Sequence, residues 1–161
     1  MADVQFKLTG ADQLLQRLRA LPKELRLKPA RSALGKAARV VREQAAANAL
    51  RIDDAATGRR IADNMIQRWR SRYHRRTGDM MVSVGVGTEK GRIPKGNPDE
   101  GAGGNTPHWH LIELGHAKKG GGLVAPQPFL RPAAQQAGQQ AIDVFGAELD
   151  KAITRAVDKL K

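Results

Sequence analysis

The sequence predicts an α+β fold in which a small, mostly antiparallel sheet packs against two long helices. Alanines and other apolar residues recur at helical spacing near residues 29–50 and again near residues 131–160. Short segments rich in strand-forming residues lie before and between these stretches, and glycine-rich segments separate them. The combination indicates an α+β domain with long, flexible loops.

The composition limits the class of protein. A chain of 161 residues is expected to form one domain, residues 1–161, with a modest core. Aromatic residues make up only 4%, so small aliphatic side chains must supply most of that core. The sequence has no cysteine, no apolar run near the roughly 20 residues that cross a bilayer, and no signal-peptide pattern. We therefore expect a soluble, non-secreted protein without disulfide or thiolate chemistry.

The first elements are predicted from alternation and helical spacing. Apolar and polar residues alternate over residues 4–8, which predicts a half-buried strand. Leucines at helical spacing predict a helix over residues 11–21 that stops at Pro22. Pro29 suits the first turn of the next helix, whose apolar side is expected to pack closely against another element. The residues on that side are Ala30, Leu34, Ala37, Ala38, Val41, Ala45 and Ala49.

The middle of the chain is less regular. Apolar residues between Ile61 and Trp69 fit either a helix face or part of a bent strand, whereas residues 80–86 predict a strand. Residues 87–106 and 117–123 are rich in glycine and are expected to be mobile loops. Residues 108–114, which lie between these loops, fit a strand or a short helical turn.

The last helix is predicted to begin near Arg131. Pro128 and Pro132 restrict the backbone on either side of the turn that precedes it, and Phe129 and Leu130 supply apolar groups that fix the start of the helix. Its buried side is expected to comprise Ala134, Ala137, Ala141, Phe145, Leu149, Ala152, Ala156 and Leu160.

Three of the four histidines lie close together, at His108, His110 and His116. On a strand, His108 and His110 would share a face and could begin a zinc site. Glu113 would then lie on the opposite face, and the spacing matches no helical zinc-enzyme signature. We therefore expect surface or interface histidines, with no metal, no cofactor and no catalytic residue.

A net charge of +12 favours a polyanionic or acidic-surfaced partner. Seven arginines crowd around Trp69 and Tyr73, namely Arg59, Arg60, Arg68, Arg70, Arg72, Arg75 and Arg76. Basic residues interleaved with aromatic ones can bind phosphates and stack on bases, which suggests non-specific contact with DNA. A solvated face, or a basic patch that docks an acidic subunit, explains the same pattern.

The order of these features resembles a family of phage proteins. The supporting residues are the leucine-rich first helix, the basic alanine-rich helix, the strand MVSVGVG, the element IELG at residues 112–115 and the corner PQPFLRPA at residues 126–133. They resemble the tail-component family of long-tailed bacteriophages, which comprises neck and tail-completion proteins and is similar to the minor tail protein Z of lambdoid phages. The sequence departs from the family at His116, where a small hydroxyl residue is usual, and in a glycine-rich insertion before His108.

The resemblance implies a structural virion protein of the neck or tail that is assembled in the bacterial host cytoplasm. Such a subunit forms or joins a ring around the DNA channel, for which a hexamer is expected because tail tubes are commonly sixfold. Its expected partners are the tail terminator or tail tube protein, the head-closure or connector protein, and passing DNA, with no membrane contact. A tail terminator is the nearest alternative. We expect subunit contacts at Trp109, Glu113, Phe129, Leu130 and Arg131, and contact with DNA or an acidic partner at the seven arginines.

Overall fold

The computed structural model describes residues 7, 9–52, 54–88 and 99–159. The helices are α1 (Ala11–Ala20), α2 (Lys23–Ala49), α3 (Ser71–Thr77), α4 (Trp109–Leu114) and α5 (Leu130–Asp158). The strands are β1 (Met65–Trp69), β2 (Val82–Val86), β3 (His116–Ala117) and β4 (Leu123–Val124), and a 3-10 turn at Ile61–Asn64 precedes β1. The α+β class and the two long helices are confirmed, as are the helix that ends before Pro22 and the strand within residues 80–86.

The strands form two separate two-stranded sheets, β1 with β2 and β3 with β4. In the first sheet, Arg70 donates its backbone N–H to the Met81 carbonyl, and Gly87 donates to the Asn64 carbonyl. Residue numbers therefore rise along one strand as they fall along the other, which makes the pair antiparallel. In the second sheet, His116 pairs with Val124 in an antiparallel register.

Helix α2 begins six residues earlier than the sequence indicates, so the assignment of Pro29 to a first turn is wrong. Pro29 lies inside the helix, where it cannot donate to the carbonyl of Leu25. Contacts before the proline offset this loss. The Arg26 guanidinium donates to the carbonyl oxygens of Leu21 at 2.8 Å and Arg19 at 2.6 Å, which satisfies groups at the end of α1.

The chain divides into two compact units, and the long helices contribute residues to both. Unit 1 comprises Met1–Val41, Gln67–Ser83 and Ala137–Lys161. Its core joins three helices through the buried residues Leu21, Ala30, Ala33, Leu149 and Ile153, with Leu14, Leu18, Phe145 and Ala156 packed against them. The ion pairs Arg17–Asp150 and Lys36–Glu148 lie at its surface.

Unit 2 comprises Arg42–Ile66 and Val84–Gln136. Its buried core contains Ala45, Ala49, Ile61, Met65, Phe129 and Ala133, and side chains from β2 and α4 pack against it. Alanine supplies all the buried α-helical residues in the core of unit 2 and half of those in the core of unit 1, in keeping with the low aromatic content. Small side chains let helix backbones approach closely, so limited apolar volume still excludes water.

The buried side of α5 differs from the prediction. Ala134 is exposed, whereas Ala133 and Ile153 are fully buried. Buried positions follow one another at intervals of four residues, and each such step advances about 40° beyond a full helical turn. The buried line therefore winds around the helix, and a fixed face read from the sequence misses part of it. Leu160 lies outside the described residues.

The predicted strand over residues 4–8 and the two predicted loops can be compared with the structure only in part, and one helix was not predicted. The strand over residues 4–8 lies outside the described residues except for Lys7, whose N–H and carbonyl bond to the side chain of Gln139. Residues 99–106 include the buried Asn105 and Thr106, and residues 117–123 include parts of β3 and β4. Helix α3 has no counterpart in the predicted elements, since its seven residues are mostly polar.

No helix within the described residues has both the length and the apolar character that a bilayer span requires.

Ile153 fixes α5 against the core of unit 1. Replacing Ile153 by alanine should lower the free energy of unfolding by about 2–5 kcal/mol, because it leaves a cavity at a site with no exposed surface. Val157→Ala, one turn further along at a side chain that is 38% exposed, should cost under about 0.5 kcal/mol. Urea denaturation followed by circular dichroism measures both. Equal losses would contradict the assigned packing.

The Lys36–Glu148 pair should make stability depend on pH. The Lys36 ammonium beside Glu148 lowers the pKa of that carboxyl below its ordinary value of 4.5. The stabilisation is therefore fully present above about pH 4.5 and is lost as the pH falls through the lower, folded-state value. Near neutral pH, we expect the wild-type protein to unfold at a higher urea concentration than Lys36→Gln. The difference between the two urea midpoints should become smaller in acid. A difference that grew in acid would contradict this assignment.

Candidate functional site

A single carboxylate closes the start of α5. Glu113 Oε2 accepts the backbone N–H of Phe129 at 2.7 Å and of Leu130 at 3.0 Å, and Oε1 accepts that of Arg131 at 3.1 Å. The first N–H groups of a helix have no partner within the helix, and its dipole favours a negative charge at that end. Glu113 lies sixteen residues before Phe129, so it caps α5 from another element.

The turn between α4 and α5 is held at two further points. Gln127 donates its backbone N–H to the Ile112 carbonyl at 2.8 Å. Gly115 has a φ of 72°, and a Cβ there would lie 2.7 Å from the carbonyl oxygen of Val124. A side chain at residue 115 would push β4 away from α4. The segment IELG and the proline-rich corner are therefore parts of one local structure.

The predicted subunit-contact residues do not form one exposed surface. Phe129 has no exposed surface and belongs to the core of unit 2, against which Trp109 and Leu130 are packed. The Glu113 carboxylate is engaged within the chain. Only Arg131 is exposed. The prediction that Phe129 fixes the start of the helix is confirmed, but this burial removes Phe129 from any surface that could touch a second subunit.

Unit 2 also exposes large apolar side chains that the sequence did not predict as surface residues. Leu111 and Leu114 on α4 are 37% and 67% exposed, and Leu123 on β4 is 81% exposed. Periodicity does not reveal them, because a helix of six residues is too short to define its buried side. Leu123 lies in a sheet of only two short strands, which is marginally stable by itself.

Arg59 is part of the interior. It is 7% exposed, and its Nε donates to the backbone carbonyl of Asp99. Beside it, Asn64 accepts the N–H of Gly87 on its carbonyl and donates its amide to Gly104 and Thr106. One asparagine thus ties together the two described ends of the segment 87–106. Arg59 and Asn64 therefore fix the base of a loop.

The remaining predicted arginines divide between the units. Arg60, in unit 2, pairs with Asp63 at 3.1 Å. In unit 1, Arg68, Arg70 and Arg72 line a groove of about 520 Å³, together with Trp69, Ser71, Tyr73 and Met81. Arg75 and Arg76 follow, exposed, on α3. We call this groove, together with Arg75 and Arg76, the arginine groove. Its five arginines are the members of the predicted cluster that are classed as exposed.

The groove side chains have defined positions. Arg70 Nε donates to Ser83 Oγ at 2.7 Å. The guanidinium of Arg31, from α2, lies 4.9 Å from the centre of the Trp69 ring, and that of Arg76 lies 5.9 Å from the centre of Tyr73. The contribution of Arg31 was not predicted, because residues 38 positions apart in sequence give no local signal of contact.

The histidines lie on or beside a helix, so the strand-face basis for a zinc site is wrong. His110 is in α4, His108 precedes it, and His116 begins β3. Among the described residues, no group of three or more His, Cys, Asp or Glu side chains is placed to hold a metal ion.

Removing the Glu113 cap should weaken α5 selectively. We expect Glu113→Ala to lower the free energy of unfolding by about 1–2 kcal/mol, because three N–H groups lose their acceptor. Glu113→Gln keeps an acceptor without the charge and should cost less. Amide hydrogen exchange at residues 129–131 should accelerate in both variants. The control is Glu43→Ala, which removes an exposed carboxylate from α2, and exchange rates no faster than in this control would contradict the cap.

Comparison with known proteins identifies the family. Residues 12–115 match the model of the family described as "Bacteriophage HK97-gp10, putative tail-component". The match covers well over half of the chain and ends at the last residue of the segment IELG, so the proline-rich corner lies beyond it. No curated protein and no solved structure matches the chain. The chain belongs to the HK97-gp10-like family of phage tail components.

Proposed function

We propose that this protein is a structural subunit of the head–tail neck, which completes the tail and joins it to the capsid connector. The observation that carries the proposal is the family match over residues 12–115. A tail component acts by binding other virion proteins, which requires fixed surfaces rather than a catalytic centre. The proposed subunit forms or joins a ring, with sixfold symmetry matching that of tail tubes, around the channel through which DNA passes.

The exposed apolar residues of unit 2 support a contact between subunits. Leu111, Leu114 and Leu123 are large apolar side chains exposed on α4 and β4, and burial against another subunit would remove them from water. The adjoining edge of β4 can accept further strand pairing. In a ring, each subunit uses two different surfaces, so this one would meet another face of the next copy. Arg131, exposed at the start of α5, adds a polar contact at the same end of that helix.

A tail terminator is the alternative within the same class. It would also form a ring on the tail tube, but it would set tail length instead of making a finished tail competent to join a head. A free DNA-binding protein is the alternative of a different class, favoured by the charge of +12. It would leave virion assembly intact when removed.

Electron microscopy of lysates from a phage that lacks this protein separates these functions. We expect full heads to accumulate beside separate tails of normal length, because the joint cannot form. Abnormally long tails would instead identify a terminator, and intact joined virions would rule out a role at the neck.

Complementation of the same deletion tests the contact surface. We expect Leu114→Glu with Leu123→Glu to fold, since both side chains are largely exposed, yet to fail in restoring joined virions. Leu15→Glu, at a side chain of α1 that is 45% exposed, is the matched control and should restore them. Restoration by the double variant would exclude this surface.

A further inference from the structure

We propose that the arginine groove binds duplex DNA through its phosphates, without stacking on bases and without sequence preference. The inference rests on the proposed function only in that the neck brings DNA past the protein. Four observations of unit 1 carry it.

The first observation is the density of one sign of charge. Residues 68–76 contain five arginines and no acidic residue, and none of the described residues that line the groove carries a carboxylate. The flanking acids in the sequence are Asp63, which pairs with Arg60, and Asp79, an exposed residue that does not line the groove. A protein partner would have to present several carboxylates on one small face, whereas duplex DNA carries one negative charge per about 1.7 Å of its axis.

The second observation is that the cations are arginines. No lysine occurs between Arg51 and Gly87. A guanidinium presents a planar set of donors that matches two phosphate oxygens at once, and it is less strongly hydrated than an ammonium group. Arg72 is exposed and lines the groove, so its guanidinium can meet a phosphate without disturbing the fold.

The third observation concerns the aromatic rings, which the sequence suggests as surfaces for stacking bases. Arg31 already covers Trp69, and the His74 ring packs against it at 5.5 Å. Arg76 lies over Tyr73. Each guanidinium occupies one face of its ring, which reduces the ring surface open to a base, so these contacts favour a different role. The rings hold guanidinium groups in place through cation–π attraction.

The fourth observation is that Arg70 is fixed by its bond to Ser83 Oγ. A side chain held in position loses less conformational freedom on binding than a free one does. Rings that carry cations, together with a tethered arginine, form a preorganised surface for regularly spaced phosphates. Nothing in such a surface reads a base edge, so we expect no sequence preference.

Binding by the purified full-length protein tests the proposal, with a fluorescent 25-base-pair duplex of arbitrary sequence followed by anisotropy over a salt series. If three phosphates are contacted, affinity should fall about 40-fold between 50 and 200 mM salt, following a slope of about −0.9 per contact. In Arg72→Gln the fall should shrink to about 12-fold, because one contact is lost. The matched control is Arg39→Gln, an exposed arginine of α2 outside the groove, which should retain the wild-type fall.

The proposal fails if the duplex does not bind at 50 mM salt, or if both variants reduce the salt dependence equally. It also fails if a single strand of the same length binds more tightly than the duplex, because that result indicates base stacking. If the duplex does not bind and Arg72→Gln also fails to restore joined virions, the groove is assigned to contact with an acidic virion protein. In each case separate heads and normal tails in the deletion lysate would still support the neck function, so the two proposals can fail independently.

Discussion

The cap that Glu113 provides for α5 is the interaction on which the arrangement of unit 2 depends. It links the end of α4 to three backbone N–H groups that have no hydrogen-bond partner within α5. It also holds the backbone of Phe129, whose side chain lies in the core of unit 2. The cap therefore holds α4, which carries two of the exposed leucines, in a fixed position. The third, Leu123, lies on the very short strand β4.

Arginine serves several different purposes in this chain. Arg26 satisfies the end of α1, Arg59 holds a loop from the interior, and Arg31 covers Trp69. Only part of the net charge of +12 is thus free to meet an external anion. Exposed arginines are concentrated where β1 leads into α3, and this concentration is more informative about a partner than the total charge is.

The two units carry different surfaces, an apolar one around α4 and β4 in unit 2 and the arginine groove in unit 1. The proposed neck subunit would have to bind protein neighbours and also let DNA pass, which are separate physical requirements. Apolar contact stabilises a permanent ring, whereas phosphate contact weakens steeply with salt and allows DNA to slide. Placing them on different residues lets each requirement be met without compromising the other.

The sequence by itself determined the α+β class, the two long helices and the strand before residue 87, because hydrophobic spacing over many residues reflects burial directly. It also indicated the family through the segment IELG. Only tertiary contacts place Pro29 within α2, bury Arg59, and bring a guanidinium over each of the Trp69 and Tyr73 rings. Each of these outcomes depends on contacts with residues tens of positions away in the sequence, or on the weak conformational preference of a short segment. Local propensity differs there by less than the free energy that a distant contact supplies.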